Sequence, residues 1–209
     1  MDTRIHSIYQ ALSAAIPVPE PGLRSGSCFE LLISVILSAQ TTDVQVNSVT
    51  PLLFSRFPDA EALASAAQEE IEETIHATGF FRTKAKNLRN AARVLLERYD
   101  GEVPRTIEEL VIIPGVGRKS ANVIVGRCFG KPAIIVDTHF SRVVRRLGIT
   151  KERDPGRIEM TLKGVVPEEE QYRFSMLLYT HGQRICRARN PSCLSCVIKS
   201  YCDYFAGNT

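Results

Sequence analysis

The chain has 209 residues, 44% of them hydrophobic and 23% charged, with six cysteines and a formal net charge of +3. That is the profile of an ordinary globular protein, long enough to bury one large core or two small ones. It excludes composition alone as an argument for a nucleic-acid partner. Met1–Gln10 lacks the apolar core of a signal peptide, and the longest apolar stretch, near Phe29–Leu37, is too short to cross a bilayer.

In chain order, Ile5, Ile8, Leu12 and Ile16 are spaced as one face of an N-terminal helix. Pro17–Gly26, with three prolines and two glycines, reads as a connector. Phe29–Ala39 is apolar nearly all round, the pattern of a helix buried in a bundle. Gln40 and its neighbours break it, and Asp43 is placed to cap a helix from Val44 to Phe54. Short helices are expected over Ala60–Ala66 and Ile71–Ala77, then a long basic one from Thr83 to Tyr99. The Gly79-Phe80-Phe81 turn between them reads first as core or cap contact, and alternatively as an exposed apolar wedge for DNA. Beyond Asp137, helices are expected over Thr138–Leu147, Pro155–Gly164, and Pro167–Ile185 with Pro167 at N1. Apart from the extended run Ala133–Val136 no strand pattern occurs, so the fold class is all-α.

Charge is segregated along the chain. Asp59–Thr78 holds six acids and no Lys or Arg, whereas Ile113–Arg153 holds nine Lys or Arg against Asp137 and Glu152. Such segregation points to one basic face, the footprint of a nucleic-acid binder.

Ile113-Pro-Gly-Val-Gly-Arg-Lys-Ser-Ala-Asn122 is a helix–turn–helix hairpin in the making. Ile107, Leu110 and Val111 form the apolar face of the first helix, Pro114 ends it, and Gly115 and Gly117 permit positive φ. A second helix starts near Arg118. Its orphan backbone donors, at Gly115, Val116 and Gly117, suit a phosphate oxygen. Lys119 sits in the first turn, where the helix dipole lowers an ammonium pKa and favours the neutral amine a nucleophile needs. From the hairpin alone, Arg118 and Lys119 read first as phosphate contacts, with a plain turn or a catalytic lysine as the alternatives. Asp137, before a helix, reads first as an N-cap.

Cys186, Cys193, Cys196 and Cys202 follow the spacing Cys-x6-Cys-x2-Cys-x5-Cys. Four thiolates this close can enclose zinc or an iron–sulfur cluster, and the spacing leaves both open. The loop between the first two carries Arg187 and Arg189, either surface charge or a phosphate grip. Cys28 and Cys128, in apolar contexts, read as inert buried thiols.

Together the stretch Leu37–Asp43, the hairpin 113–122, Val136-Asp-Thr-His139 and the cysteine run resemble the endonuclease III family of base-excision DNA glycosylases, within the helix-hairpin-helix superfamily. The resemblance covers Leu31 to Cys202. Ile113 replaces the usual leucine, Ser120 the commoner threonine, and Phe80 stands where leucine is frequent. The resemblance implies two helical lobes with a DNA-binding cleft between them: a six-helix barrel, 22–132, and an iron–sulfur lobe, 1–21 with 133–209. It implies a [4Fe–4S] cluster on the four cysteines, Lys119 as nucleophile and Asp137 as catalytic carboxylate. DNA contacts carry over to Gln40 (filling the gap of an everted base), Phe80, Gly115, Val116, Gly117, Arg118, His139, Arg187 and Arg189. The implied activity is removal of oxidised pyrimidines, followed by strand nicking at the abasic site through a lysine Schiff base. The implied partner is damaged double-stranded DNA, bound by a monomer in a prokaryotic cytoplasm at the nucleoid, with no membrane. One alternative is a monofunctional adenine mismatch glycosylase. Those enzymes lack the lysine and carry an acid in the helix before the glutamine, whereas Ser34–Ser38 contains none. The other is a non-catalytic helix-hairpin-helix module with structural zinc.

Overall fold

The computed structural model describes residues 3–17, 19 and 22–207. Residues 18, 20 and 21 of the expected connector, and with them the expected lobe boundary at 21/22, lie outside the described residues. The chain divides into two compact units, Pro21–Phe129 and Met1–Glu20 with Gly130–Thr209. All regular structure among the described residues is helical. The run Ala133–Val136 is extended but pairs with no strand. Its Ile135 N–H donates instead to Ser175 Oγ at 3.1 Å, which satisfies a buried donor without a ladder.

The first unit is built from α2 (Cys28–Leu37), α3 (Asp43–Arg56), α4 (Ala60–Ser65), α5 (Gln68–Ile75), α6 (Phe81–Tyr99), α7 (Ile107–Leu110) and α8 (Arg118–Phe129). Helix α2 is its centre: every residue from Leu31 to Leu37 is buried, including Ser34. An all-apolar helix has no face for water, so α3, α6 and α8 pack around it. Ser27 caps α2 by accepting from Glu30 N, while Glu30 accepts from Gly26 N. Helix α3 is capped by Thr42, which accepts from Gln45 N, and Asp43 is its first residue rather than its cap. The helix continues through Pro51 to Arg56.

The hairpin forms between α7 and α8. Leu110 and Ile113 are buried. Val111, expected on the same face, is 43% exposed, because the helix ends one residue earlier and the chain turns away. Gly115 has φ +87°, and a Cβ there would lie 2.8 Å from Ile36 Cγ2 of α2. Glycine is therefore required twice over at this position, by conformation and by space. Gly117, expected to share that role, is not in the left-handed region and faces open space.

The second unit holds α1 (Thr3–Ala15), α9 (Thr138–Arg146), α10 (Pro155–Val165), α11 (Glu168–Arg184) and the short α12 (Asp203–Ala206). Ile5, Ile8 and Leu12 of α1 are buried in its core with Phe140, Phe174 and Leu178. Gly182 lets α11 approach α9 closely, since a Cβ there would meet His139 Cβ at 3.0 Å and Val143 Cγ2 at 3.1 Å. Pro167 occupies the position before the first helical residue of α11, one step earlier than expected.

The two hairpin glycines should separate experimentally. Gly115→Ala is expected to lower stability by about 1–3 kcal/mol, from left-handed strain and the clash with Ile36. Gly117→Ala should stay within about 0.5 kcal/mol of the parent. Urea denaturation of both variants measures the contrast.

Candidate active site and cysteine centre

The hairpin presents its donors unequally. Val116, 6% exposed, turns its N–H back onto Ile113 O at 3.0 Å and so does not point outward as expected. The N–H groups of Gly115 and Gly117 have no partner among the described residues. Two free donors at the start of a twelve-residue helix, beside exposed Arg118 and Lys119, make a compact anion-binding corner. Asp43, at the start of α3, lies within the field of Lys119. Burial pushes its carboxyl above the usual range, and the Lys119 ammonium pulls it back down. Nothing in the local pattern around Asp43 distinguishes this from capping.

Gln40 and Phe80 belong to the same unit and share an unusual backbone state. Both are exposed and both have positive φ, 54° and 47°. For a bulky aromatic this is a strained conformation, of the kind that persists only where surrounding structure enforces it. Phe80 is 68% exposed, which overturns its reading as core. Its neighbour Phe81 takes that role, packing against the core and against the His76 ring at a centroid distance of 4.4 Å.

What holds both turns is Lys84, a residue that reads from the sequence as one more basic position on α6. It is 4% exposed. Its ammonium donates to Thr78 O at 2.9 Å and to Thr41 Oγ1, and Thr41 Oγ1 donates to Thr78 O at 2.6 Å. One buried cation thus ties the loop beside Gln40 to the turn beside Phe80. Burial pushes the Lys84 pKa down, since no carboxylate accompanies the charge.

Asp137 caps α9: its Oδ1 accepts from Phe140 N at 2.7 Å. Its other oxygen has no hydrogen-bond partner among the described residues, so capping leaves half of the carboxylate available. His139, in the first turn of α9, is half-buried, edge-on to Tyr179 at 5.7 Å, with Nδ1 3.1 Å from Arg142 Nη2. That contact commits the imidazole within its own unit.

The four C-terminal cysteines line one cavity with Val143, Leu147 and Ile198. About 370 Å³ of atom-free space, part of it open to solvent, lies there. Among the described residues no three His, Cys, Asp or Glu side chains close on a point as ligands of a single ion would. Zinc bound at about 2.3 Å from each sulfur demands such closure. Burial pushes the Cys196 thiol up; a backbone hydrogen bond at Ile198 opposes this, and Cys186, Cys202 and Cys193 add to the rise. A cationic centre offsets that mutual repulsion.

Two arginines of α9 anchor the loop that starts at Cys186. Arg142 donates to Cys186 O at 2.9 Å and Gly182 O at 2.7 Å. Arg146 donates to Arg187 O at 2.8 Å, to Ala188 O at 3.1 Å and to Cys186 Sγ at 3.3 Å, and lies 4.6 Å over the Tyr204 ring. Arg187 and Arg189 themselves are exposed. Only the i, i+4 spacing of Arg142 and Arg146 hinted that they share a target. Cys28 and Cys128 are half-buried rather than fully buried, and burial, with the Cys28 thiol beside it, pushes Cys128 up to about 12. An inert thiol is the consequence at neutral pH.

An anion-gripping helical hairpin, with a lysine at its mouth and a four-thiol loop elsewhere in an all-α chain, defines a DNA-repair class of protein. The family model of the HhH-GPD superfamily base excision DNA repair proteins matches residues 33–168. Endonuclease III of Synechocystis is 51% identical over 83% of this chain and 80% of its own length. That of Bacillus subtilis is 43% identical over 89% and 85% respectively. A solved non-covalent endonuclease III–DNA complex superposes with a TM-score of 0.91 at 37% identity, covering 100% of this chain and 99% of that one. A trapped endonuclease III–DNA covalent intermediate superposes with the same score, identity and coverage. The chain belongs to the endonuclease III family of HhH-GPD base-excision repair proteins.

Lys84→Met keeps the alkyl stem and removes three donors, leaving Thr78 O with only the Thr41 hydroxyl. It should cost about 1–3 kcal/mol of stability, and hydrogen exchange should rise first in the turns at 38–42 and 78–81. Uniform loosening of the whole unit would argue against a local clamp.

Proposed function

We propose that the chain is a bifunctional DNA glycosylase and abasic-site lyase that removes oxidised pyrimidines from double-stranded DNA. The observation that carries this reading is Lys119, an exposed amine beside two unpartnered backbone donors in a chain superposable over its full length on a trapped endonuclease III–DNA covalent intermediate. A stacked base is out of reach, so the damaged nucleotide must leave the helix at a cost of about a few kcal/mol. Exposed Gln40 and Phe80, held in strained turns before any ligand arrives, suit the vacated stack and the wedge beside it. Pre-set strain means no ordering cost at the moment of insertion.

Gly115 and Gly117 N–H, with Arg118, would hold the phosphates and fix register without reading sequence. Val116 serves as the buried anchor of the turn. His139, Arg187 and Arg189 are assigned further DNA contacts. Lys119 Nζ attacks the sugar's anomeric carbon as the base departs. Asp137, through the oxygen not engaged in capping, stabilises the positive charge developing on the sugar. Ring opening gives a Schiff base, which acidifies the adjacent sugar carbon. Loss of that proton expels the 3′ phosphate and nicks the strand.

Cys186, Cys193, Cys196 and Cys202 would hold a [4Fe–4S] cluster. The donor set fits, being all thiolate, lining one cavity and closed by a loop that Arg142 and Arg146 already grip. When bound, the cluster supplies the fixed charge that keeps four thiolates together and the loop carrying Arg187 and Arg189 in shape. No helix among the described residues is long and apolar enough to cross a membrane. With bacterial relatives, this supports action as a monomer on DNA in a prokaryotic cytoplasm.

Borohydride should trap the protein covalently on duplex DNA containing an oxidised pyrimidine. Lys119→Ala should abolish trapping while DNA affinity stays within about tenfold, one phosphate contact being a small share of binding. A Lys119→Ala protein that still traps would move the chemistry to another amine. Analysis of purified protein should return about four irons per chain with visible absorbance; a colourless protein with one zinc would reverse the metal assignment.

A further inference from the structure

Outside the residues given roles above, the strongest unexplained feature lies where α9 ends. The chain turns at Gly148 (φ +76°) and runs on through Thr150, Lys151 and Arg153 to the start of α10. This turn and the C-terminal half of α9 enclose a cleft of about 550 Å³. Five cationic side chains line it: Arg142, Arg145, Arg146, Lys151 and Arg153. Arg142 and Arg146 have structural work, since both donate to carbonyls of the cysteine loop. Arg145, Lys151 and Arg153 do not. All three are exposed, and their side chains make no ion pair or hydrogen bond among the described residues.

The acids nearby are directed elsewhere. Asp203, which also lines the cleft, pairs with Arg4 at 2.6 Å. Glu152, between Lys151 and Arg153 in sequence, lies 3.7 Å from Arg157. Asp154 accepts from Arg157 N at 2.9 Å as the cap of α10. Three cations without a side-chain partner among the described residues share one concavity, whose single lining carboxylate, Asp203, pairs with Arg4. A concave, one-signed surface focuses potential and attracts a polyanion. It contributes nothing to stability, because like charges held together repel.

We propose that this cleft is a second backbone-binding site, taking consecutive phosphates of the duplex flanking the lesion. Its lining includes no residue of the hairpin and neither Arg187 nor Arg189. The inference rests on the DNA-repair reading above for the identity of its ligand. Arg145, Lys151 and Arg153 contact phosphates only, so they raise affinity for any sequence, damaged or not. Arg146 couples the site to the cysteine loop, since one guanidinium lines the cleft and also holds the carbonyls of Arg187 and Ala188.

The test compares the parent with the triple variant Arg145→Ala/Lys151→Ala/Arg153→Ala, and with Arg145→Lys/Arg153→Lys. Binding to an undamaged duplex of about 30 base pairs is followed by anisotropy from about 50 to 200 mM salt. The slope of log K against log salt should become shallower by about 2–3 in the alanine variant, near 0.9 per lost phosphate contact. The lysine variant, which keeps the charge, should retain the parent slope. Borohydride trapping at saturating protein should be equal in all three. An unchanged slope in the alanine variant overturns the proposal. So does one-to-one binding of tripolyphosphate to the parent and not the variant with duplex slopes equal, which would make this a site for a free polyphosphate. A parent that binds duplex but never traps refutes the enzymatic reading instead, and leaves the slope comparison intact.

Discussion

The contact on which the first unit's chemistry depends is the approach of Gly115 to Ile36. Helix α2 is buried on every side, so whatever crosses its surface must do so with almost no side chain. The chain reverses there at φ +87°, with no room for a Cβ. Because the inner side of the turn is pressed against α2, and Val116 closes back on Ile113, the outer side is left bare. Gly115 and Gly117 N–H, Arg118 and Lys119 are exposed as a result of core packing. An amine at the edge of a rigid turn needs little further ordering to meet a ligand.

A second theme recurs in both units: a cation from one helix satisfies carbonyls of a loop. Lys84 does so for the turns next to Gln40 and Phe80, and Arg142 with Arg146 does so for the cysteine loop. Loops carry function but lack internal hydrogen-bond ladders, so their backbone acceptors need partners from elsewhere. Long cationic side chains reach them and are satisfied by them. Some basic residues in this chain therefore organise loops, others pair with acids, as Arg157 does with Glu152, and the rest face water. Those that face water, among them Arg187, Arg189 and Arg145, are the ones available to a nucleic acid.

Readings that depended on local chemistry and those that depended on neighbours fared differently. Pro114, the glycines and the apolar spacing around them implied two helices joined by a tight turn, which is what forms. An acid before an apolar-periodic run implied a cap, and Asp137 is one. Errors of one residue came at helix starts, where Thr42 competes with Asp43 and Pro167 slips one position outward. Val111 and Gly117 failed because a helix end and a turn conformation depend on what the next element packs against. Phe80 and Phe81 were inseparable in the sequence. Only the left-handed turn, enforced by a buried lysine six residues from Thr78, sends one outward and the other in.

The sequence by itself determined the helical class, the hairpin, the helix-capping acid and the four-thiol loop, because each is written in residues adjacent along the chain. Tertiary structure alone decided which backbone donors remain free, which aromatic is exposed, that the four thiols line one cavity, and which arginines are already engaged. Those are matters of close approach between segments tens of residues apart, governed by van der Waals clearance and hydrogen-bond geometry. No local spacing encodes them.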